Sequence, residues 1–313
     1  MTERFTWERI WTQGDTSDGW SHSGICVDHT GAVVFAAPEG GALIRIAPTG
    51  EAERIAVTLT EIHGISVDAV QTAVLWLADP GEKPCAADGY RPVVNAGRVV
   101  ALRDGVEHEL AQPRLPAYRD ACWRPTSVVA DADGVWVADG YGASLVHRFD
   151  RDGAHLLTLD GTATGTAFDC PHGVALVTRA GARELWVADR GNRRIVRLTA
   201  QGEHLGTIEH PLFTSPSSLA VRGAEVVVTE LFGGLLAIDA DDQVRSLLPQ
   251  RAASGHAAPW PNALEDGRLV RPELGEEQLH APHGVAVAED GSILLTEWLI
   301  GGRQWRLVPG LTR

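Results

Sequence analysis

Three histidines, His63, His172 and His283, each stand directly before a glycine and a short aliphatic run, as His63-Gly64-Ile65, His172-Gly173-Val174 and His283-Gly284-Val285. Neutral imidazole binds divalent transition metals, and three such ligands leave a coordination position open for water or substrate. Two other residues are notable because they break a repeated pattern around them: Tyr141 after Asp139-Gly140, and Arg190 after Ala188-Asp189. A phenol with pKa near 10 takes up a proton at neutral pH only when its surroundings favour the phenolate. A guanidinium fork suits a carboxylate or a developing oxyanion. Phe232 and Trp298 occupy the corresponding place in later segments and point to an apolar or aromatic portion of a ligand.

The elements that must position these residues repeat along the chain. A short apolar strand begins at Ser23, His63, Thr126, His172, Ser217 and His283, and a second follows about ten residues later, at 33–36, 75–78, 135–138, 185–188, 226–229 and 293–296. A third strand and a weaker fourth follow turns rich in glycine or polar residues, such as Pro48-Thr49-Gly50. Four short strands in each of six units predict an all-β chain folded as a single six-bladed β-propeller domain over 1–313. No window sustains the 3.6-residue periodicity of a helix. The sixth unit lacks a fourth strand, and Phe5–Trp11 is expected to supply it and close the ring.

In blade order the first inner residues alternate, Ser, His, Thr, His, Ser, His. Alternate blades of a six-fold ring lie about 120° apart, so the three imidazoles are expected to converge on the axis at one height. His22 lies one residue before Ser23, and strand alternation predicts that it points away. Residues that follow the second strands share the histidine face, which places Tyr141, Arg190, Phe232 and Trp298 around the same mouth. Asp139 and Asp189 recur with the repeat and are expected to bind turn backbone, while Trp76, Trp136 and Trp186 are expected to pack between blades. Unequal unit lengths mark insertions at 80–96, 112–123 and about 249–280, all rich in Pro, Gly and charge. Those at 80–96 and 249–280 carry Tyr90, Arg91, Trp260 and Arg271 and are expected to close over a ligand.

Composition narrows the partners. A formal charge of −14 opposes binding to nucleic acid or an anionic membrane surface, leaving a small-molecule substrate. No apolar run approaches 18 residues, and Glu3, Glu8 and Asp15 interrupt the start, so a cytoplasmic location is expected. Lys83 is the one lysine among 27 basic residues, which argues against Schiff-base chemistry. Cys26, Cys85, Cys122 and Cys170 show no paired spacing and read as free thiols.

The segments Cys170-Pro171-His172-Gly173-Val174-Ala175-Leu176 and Leu185-Trp186-Val187-Ala188-Asp189-Arg190-Gly191-Asn192-Arg193-Arg194-Ile195 resemble NHL repeats. Within that class the chain resembles the lyase domain of the peptidylglycine α-amidating enzymes, a six-bladed propeller. The resemblance implies a Zn²⁺ held by His63, His172 and His283, a catalytic tyrosine at Tyr141 and an arginine near the metal at Arg190. Three departures qualify it. The family's arginine after the second strand of the first blade is replaced by Ala36-Ala37-Pro38-Glu39-Gly40-Gly41, so peptides ending in α-hydroxyglycine are expected to be poor substrates. Gly284 follows the last histidine where the family's calcium site has aspartate, which argues against calcium. Gly142 replaces a cysteine of the family's disulfide.

The expected function is therefore that of a zinc-dependent lyase cleaving a C–N bond in a small α-hydroxylated, carbinolamine-like substrate. Tyr141 would be the base, Arg190 would hold a carboxylate or oxyanion, and Phe232 and Trp298 would receive the apolar part. Another divalent transition metal would suit the same ligands. Two alternatives remain: a metal-dependent hydrolase or lactonase resembling the gluconolactonases, and a non-catalytic NHL scaffold that binds a partner.

Overall fold

The computed structural model describes residues 3–248 and 259–310, so the 249–258 part of the last insertion lies outside the described residues. Six four-stranded antiparallel sheets follow one another in the order expected of a propeller. Their inner strands are Ile25–Val27, Gly64–Val67, Ser127–Asp131, Pro171–Arg179, Pro216–Arg222 and Pro282–Val287. Inner strands of successive blades touch all the way round, and that of the last blade contacts that of the first. Three-residue or four-residue 3₁₀ turns are the only helical elements among the described residues.

Burial peaks at the second strand of each blade and falls off toward the outer strand, which explains the sequence pattern. The second strands Leu75–Asp79, Gly134–Asp139 and Ile293–Glu297 are buried at every residue, because neighbouring blades cover both faces. Their residues are therefore continuous apolar runs rather than an alternation. The outer strand Ala52–Ala56 is almost wholly exposed and reads as polar. Trp76 packs with Val128, Val135 and Phe149 of the next blade, Trp136 with Val174 and Leu185, and Trp186 with Leu219 and Val226. These tryptophans fill the gaps between blades, as expected. The ring closes through Phe5–Trp11, which pairs antiparallel with Gln304–Pro309 as the outermost strand of blade six. Trp7 meets Trp305 edge-on at 5.3 Å, fastening the two ends of the chain.

An acid ending the second strand anchors the loop that leads into the inner strand of its own blade. Asp79 accepts from the amides of Thr60 and Glu61 at 2.6 and 2.9 Å, Asp139 from Arg124 N at 2.7 Å, Asp189 from Asp169 N at 2.9 Å, and Glu230 from Thr214 and Ser215. In blade six, Glu297 accepts from Ala281 N. Each clamp fixes the height at which the inner strand starts. Blade one has Ala37 at this place. There the entering segment Trp20–Ser21 pairs with Leu299–Ile300 of blade six instead.

The insertion at 80–96 forms a hairpin, Glu82–Cys85 with Arg91–Val94, and the last insertion holds a second, Ala263–Glu265 with Arg268–Val270. All four cysteines are free. No helix among the described residues is long and apolar enough to cross a membrane.

Candidate metal centre and active site

His63, His172 and His283 begin or precede their inner strands, and all three are buried. Each Nδ1 faces a backbone carbonyl of the following blade: Thr126 O at 2.6 Å, Ser217 O at 2.8 Å and Ser23 O at 3.0 Å. A carbonyl only accepts, so each Nδ1 carries the proton and each Nε2 presents a lone pair. The alternation of histidine with Ser or Thr thus has a structural meaning, since the hydroxyl residues supply the carbonyls that set the tautomer.

The glycine after each histidine makes this possible. A Cβ on Gly64 would come within 2.7 Å of Thr126 O, and one on Gly284 within 2.8 Å of Ser23 O. On Gly173 it would collide with Ser217 O. These are the same three carbonyls that hold the imidazoles, so the dipeptide lets the neighbouring strand approach the ring.

The three lone pairs converge. His63 Nε2 and His283 Nε2 stand 3.0 Å apart, and neither nitrogen has a proton to share. Two ligands of a tetrahedral zinc, each about 2.0–2.1 Å from it, are separated by about 3.3–3.4 Å. The opposed lone pairs therefore fit a cation between them. Burial lowers the proton affinity of His63 and His172 well below the ordinary value and that of His283 to about 3, with Arg190 adding to the effect, so the rings are neutral as metal binding requires.

Tyr141 hangs over this cluster. Its hydroxyl lies 3.2 Å from His63 Nε2, 3.0 Å from His172 Nε2 and 3.4 Å from His22 Nε2. Burial pushes the phenol up to about 12, and Arg190 partly offsets this. Arg190 donates to Tyr141 Oη at 3.3 Å and to Ser217 Oγ at 3.0 Å, while its Nε is buried without a hydrogen-bond partner. Tyr141 and Arg190 are thus adjacent at the centre.

Trp298 lines a recess of about 340 Å³ together with His22, Pro80, Glu82, Pro84, Arg124 and Tyr141. Its ring is 5.3 Å from His22 and 5.8 Å from Trp20. Phe232 stands farther out, joined to Trp298 through Trp260, which lies 5.2 Å from one and 5.7 Å from the other. Tyr90 meets Trp20 edge-on and Arg271 pairs with Asp15 at 2.9 Å. Tyr90 and Trp260 thus extend the aromatic wall, whereas Arg271 is engaged with Asp15. A separate channel of about 390 Å³ runs along the propeller axis, with His63 and His172 in its wall and aliphatic residues such as Val67, Leu176 and Val221 along it.

His22 corrects the sequence reading. Its ligand nitrogen lies within 4.8 Å of those of the other three histidines, and its ring centroid is 4.4 Å from both His63 and His283. Strand alternation does not govern it because the inner strand starts only at Ile25. Glu61 and Lys83 behind it were also missed: Lys83 Nζ meets Glu61 Oε1 at 2.9 Å, and both side chains are almost fully buried. The solitary lysine was visible in the composition, but its inward direction was not.

The fold and site together define a six-bladed propeller with a histidine cluster at one mouth of its axis. No protein-family model and no curated protein sequence matches the chain. Among solved structures, a gluconolactonase from Xanthomonas campestris aligns over 99% of this chain and 95% of its own, with TM-score 0.63 and 14% identity. A streptogramin B lyase aligns over 98% of both chains, with TM-score 0.58 and 14% identity. Virginiamycin B lyase from Staphylococcus aureus aligns over 97% of this chain and 99% of its own, with TM-score 0.55 and 13% identity. At these identities the likeness establishes the fold.

Proposed function

We propose that the chain is a metal-dependent lyase that breaks the C–N bond of a small carbinolamine-like substrate at the mouth bearing His63, His172 and His283. The observation that carries this reading is the set of three Nε2 lone pairs, fixed by their carbonyl partners and facing one space beneath Tyr141 and Arg190. Zinc suits neutral nitrogen donors in such a set, and manganese or calcium would prefer oxygen. When bound, the cation supplies Lewis acidity toward a substrate oxygen and a positive charge that favours the phenolate of Tyr141.

The protein's own groups do the rest. Tyr141 takes the proton of the substrate hydroxyl as the C=O bond forms and the C–N bond breaks, and it passes that proton to the departing nitrogen, which restores the phenolate. Arg190 stabilises the anionic form of Tyr141 and brings to the mouth a positive charge that favours an anionic group of the substrate. Trp298, Trp20 and Trp260 receive an apolar or ring portion, with Phe232 behind them. The resemblance to amidating lyases rests on the residues quoted above, and the presence of a lyase among similarly folded proteins supports the assignment.

One observation favours hydrolysis as a second reading. His22 reaches Tyr141 from the recess side with a carboxylate behind it, an arrangement suited to holding a water, and a gluconolactonase shares the fold. Elimination yields an aldehyde or ketone that a hydrazine reagent traps, whereas hydrolysis of a lactone or ester yields a carboxylate carrying ¹⁸O from labelled water. Purified protein is expected to hold about one zinc per chain, and His172→Ala to lose it. Full metal occupancy in His172→Ala would exclude the proposed centre.

A further inference from the structure

The three axial histidines are oriented by backbone carbonyls, but His22 faces a carboxylate. Its Nε2 looks into the centre, 3.4 Å from Tyr141 Oη, while its Nδ1 lies 3.8 Å from Glu61 Oε2. That oxygen is buried and has no hydrogen-bond partner. Glu61 Oε1 is already engaged by Lys83 Nζ at 2.9 Å. The same ammonium donates to Trp20 O at 2.8 Å, two residues before His22. Lys83 therefore ties together the carboxylate that His22 faces and the backbone that carries His22.

We propose that His22 is a fourth nitrogen donor of the metal centre, oriented by Glu61, so that a substrate oxygen would enter as a fifth ligand, and that Lys83 on the inserted hairpin Glu82–Cys85/Arg91–Val94 holds Glu61 in position. This rests on the metal reading given above. The separation of 3.8 Å is an ion-pair contact rather than a hydrogen bond, and a ring movement of about 1 Å brings Nδ1–H into bonding distance of the unpartnered oxygen. A carboxylate raises the basicity of the ring it accepts from and fixes its tautomer, as second partners of metal-bound histidines commonly do.

Two features of the chain support the assignment. A buried Lys–Glu pair is a poor way to gain stability, because desolvation of both ions offsets their attraction, so its place behind an imidazole needs a reason beyond packing. The segment Trp20–Ser21 is also held as a strand against Leu299–Ile300, so His22 enters the mouth from an ordered backbone. The hairpin at 80–96 is then a buttress of the centre. Its lysine points inward, where the sequence suggested a cover over the ligand.

The test is zinc affinity of metal-free protein, measured by competition with a chromophoric chelator, together with the visible absorption of the Co²⁺-loaded form. Glu61→Gln and His22→Ala are expected to weaken zinc by about 10–100-fold and to alter the Co²⁺ bands. Lys83→Met should weaken it in the same direction. His204→Ala, at an exposed ring that contacts Thr207, should leave both readouts unchanged. His22→Ala leaves the buried pair intact, so it tests the ligand even if Glu61→Gln impairs folding. Wild-type zinc affinity and unchanged Co²⁺ bands in His22→Ala would overturn the fourth donor and leave a three-histidine centre. Failure of the wild-type chain to take up zinc or Co²⁺ would overturn the metal reading itself.

Discussion

At the scale of single residues, a carbonyl bonded to Nδ1 does more than orient a ring, because it decides which nitrogen is available. For His172 that carbonyl is Ser217 O, and Gly173 provides the space it occupies. Gly173→Ala pushes the carbonyl away without touching any ligand atom. We expect zinc affinity to fall about 10-fold or more, within the range for lost second partners, with the strand content by circular dichroism retained. An affinity equal to wild type would show that the ring is held by something else. Tyr141→Phe removes one hydroxyl from the same space. Turnover should fall by about 10² or more while metal content persists, the scale of a positioned proton-transfer group. Tyr141 and Arg190 were legible in the sequence because they interrupt a repeat. His22 was not, because an alternation rule for extended strands says nothing about a residue three positions before the strand begins. Glu61 and Lys83 meet across a loop and an insertion, and no local pattern encodes that pairing.

At the scale of elements, the acid clamps and the buried tryptophans carry the repeat. Trp186→Ala empties a site between blades four and five and should cost about 3–5 kcal/mol in denaturant unfolding. Blade four also gives stability a pH dependence of known sign. Burial works to raise the Glu184 carboxyl, but hydrogen bonds from Arg197 and Trp186 more than offset this and hold it below its ordinary 4.5. A carboxylate with a lowered folded pKa contributes stability that is complete above its unfolded value and is lost as pH falls through the folded one. Glu184→Gln should therefore flatten the acid limb of the stability curve, followed by circular dichroism. Asp139 acts in the opposite sense. Burial pushes it up to about 6, so its contribution is present below 3.8 and fades as pH rises through 6. Strand order was readable throughout, since turns and apolar runs recur blade by blade. The insertions were readable only as loops, because their hairpins depend on packing against residues far away in sequence.

At the scale of the molecule, the centre sits on a frame that does not need it. Cores between all the blades are aliphatic and aromatic, so on the proposed metal reading chelation should remove activity while shifting the melting temperature far less than Trp186→Ala does. Calorimetry of the loaded and chelated forms checks this. Deleting Phe5–Trp11 should be more damaging than either, since it exposes the edge of Gln304–Pro309 and uncovers Trp305.

That shared sheet also imposes an order on the birth of the molecule. Among the described strands, Phe5–Trp11 leaves the ribosome first, yet its partner Gln304–Pro309 follows all the others. Blades one to five each complete their sheet from contiguous sequence and can assemble as they emerge. The first strand must wait, with Phe5 and Trp7 unshielded, until the sixth blade arrives. Its capture closes a loop of nearly the whole polypeptide, the kind of contact that makes folding slow. Pulse-labelled hydrogen exchange during refolding should therefore find the amides of Phe5–Trp11 protected last, after those of blades two to five, and a chain stalled before Gln304 should keep them open indefinitely.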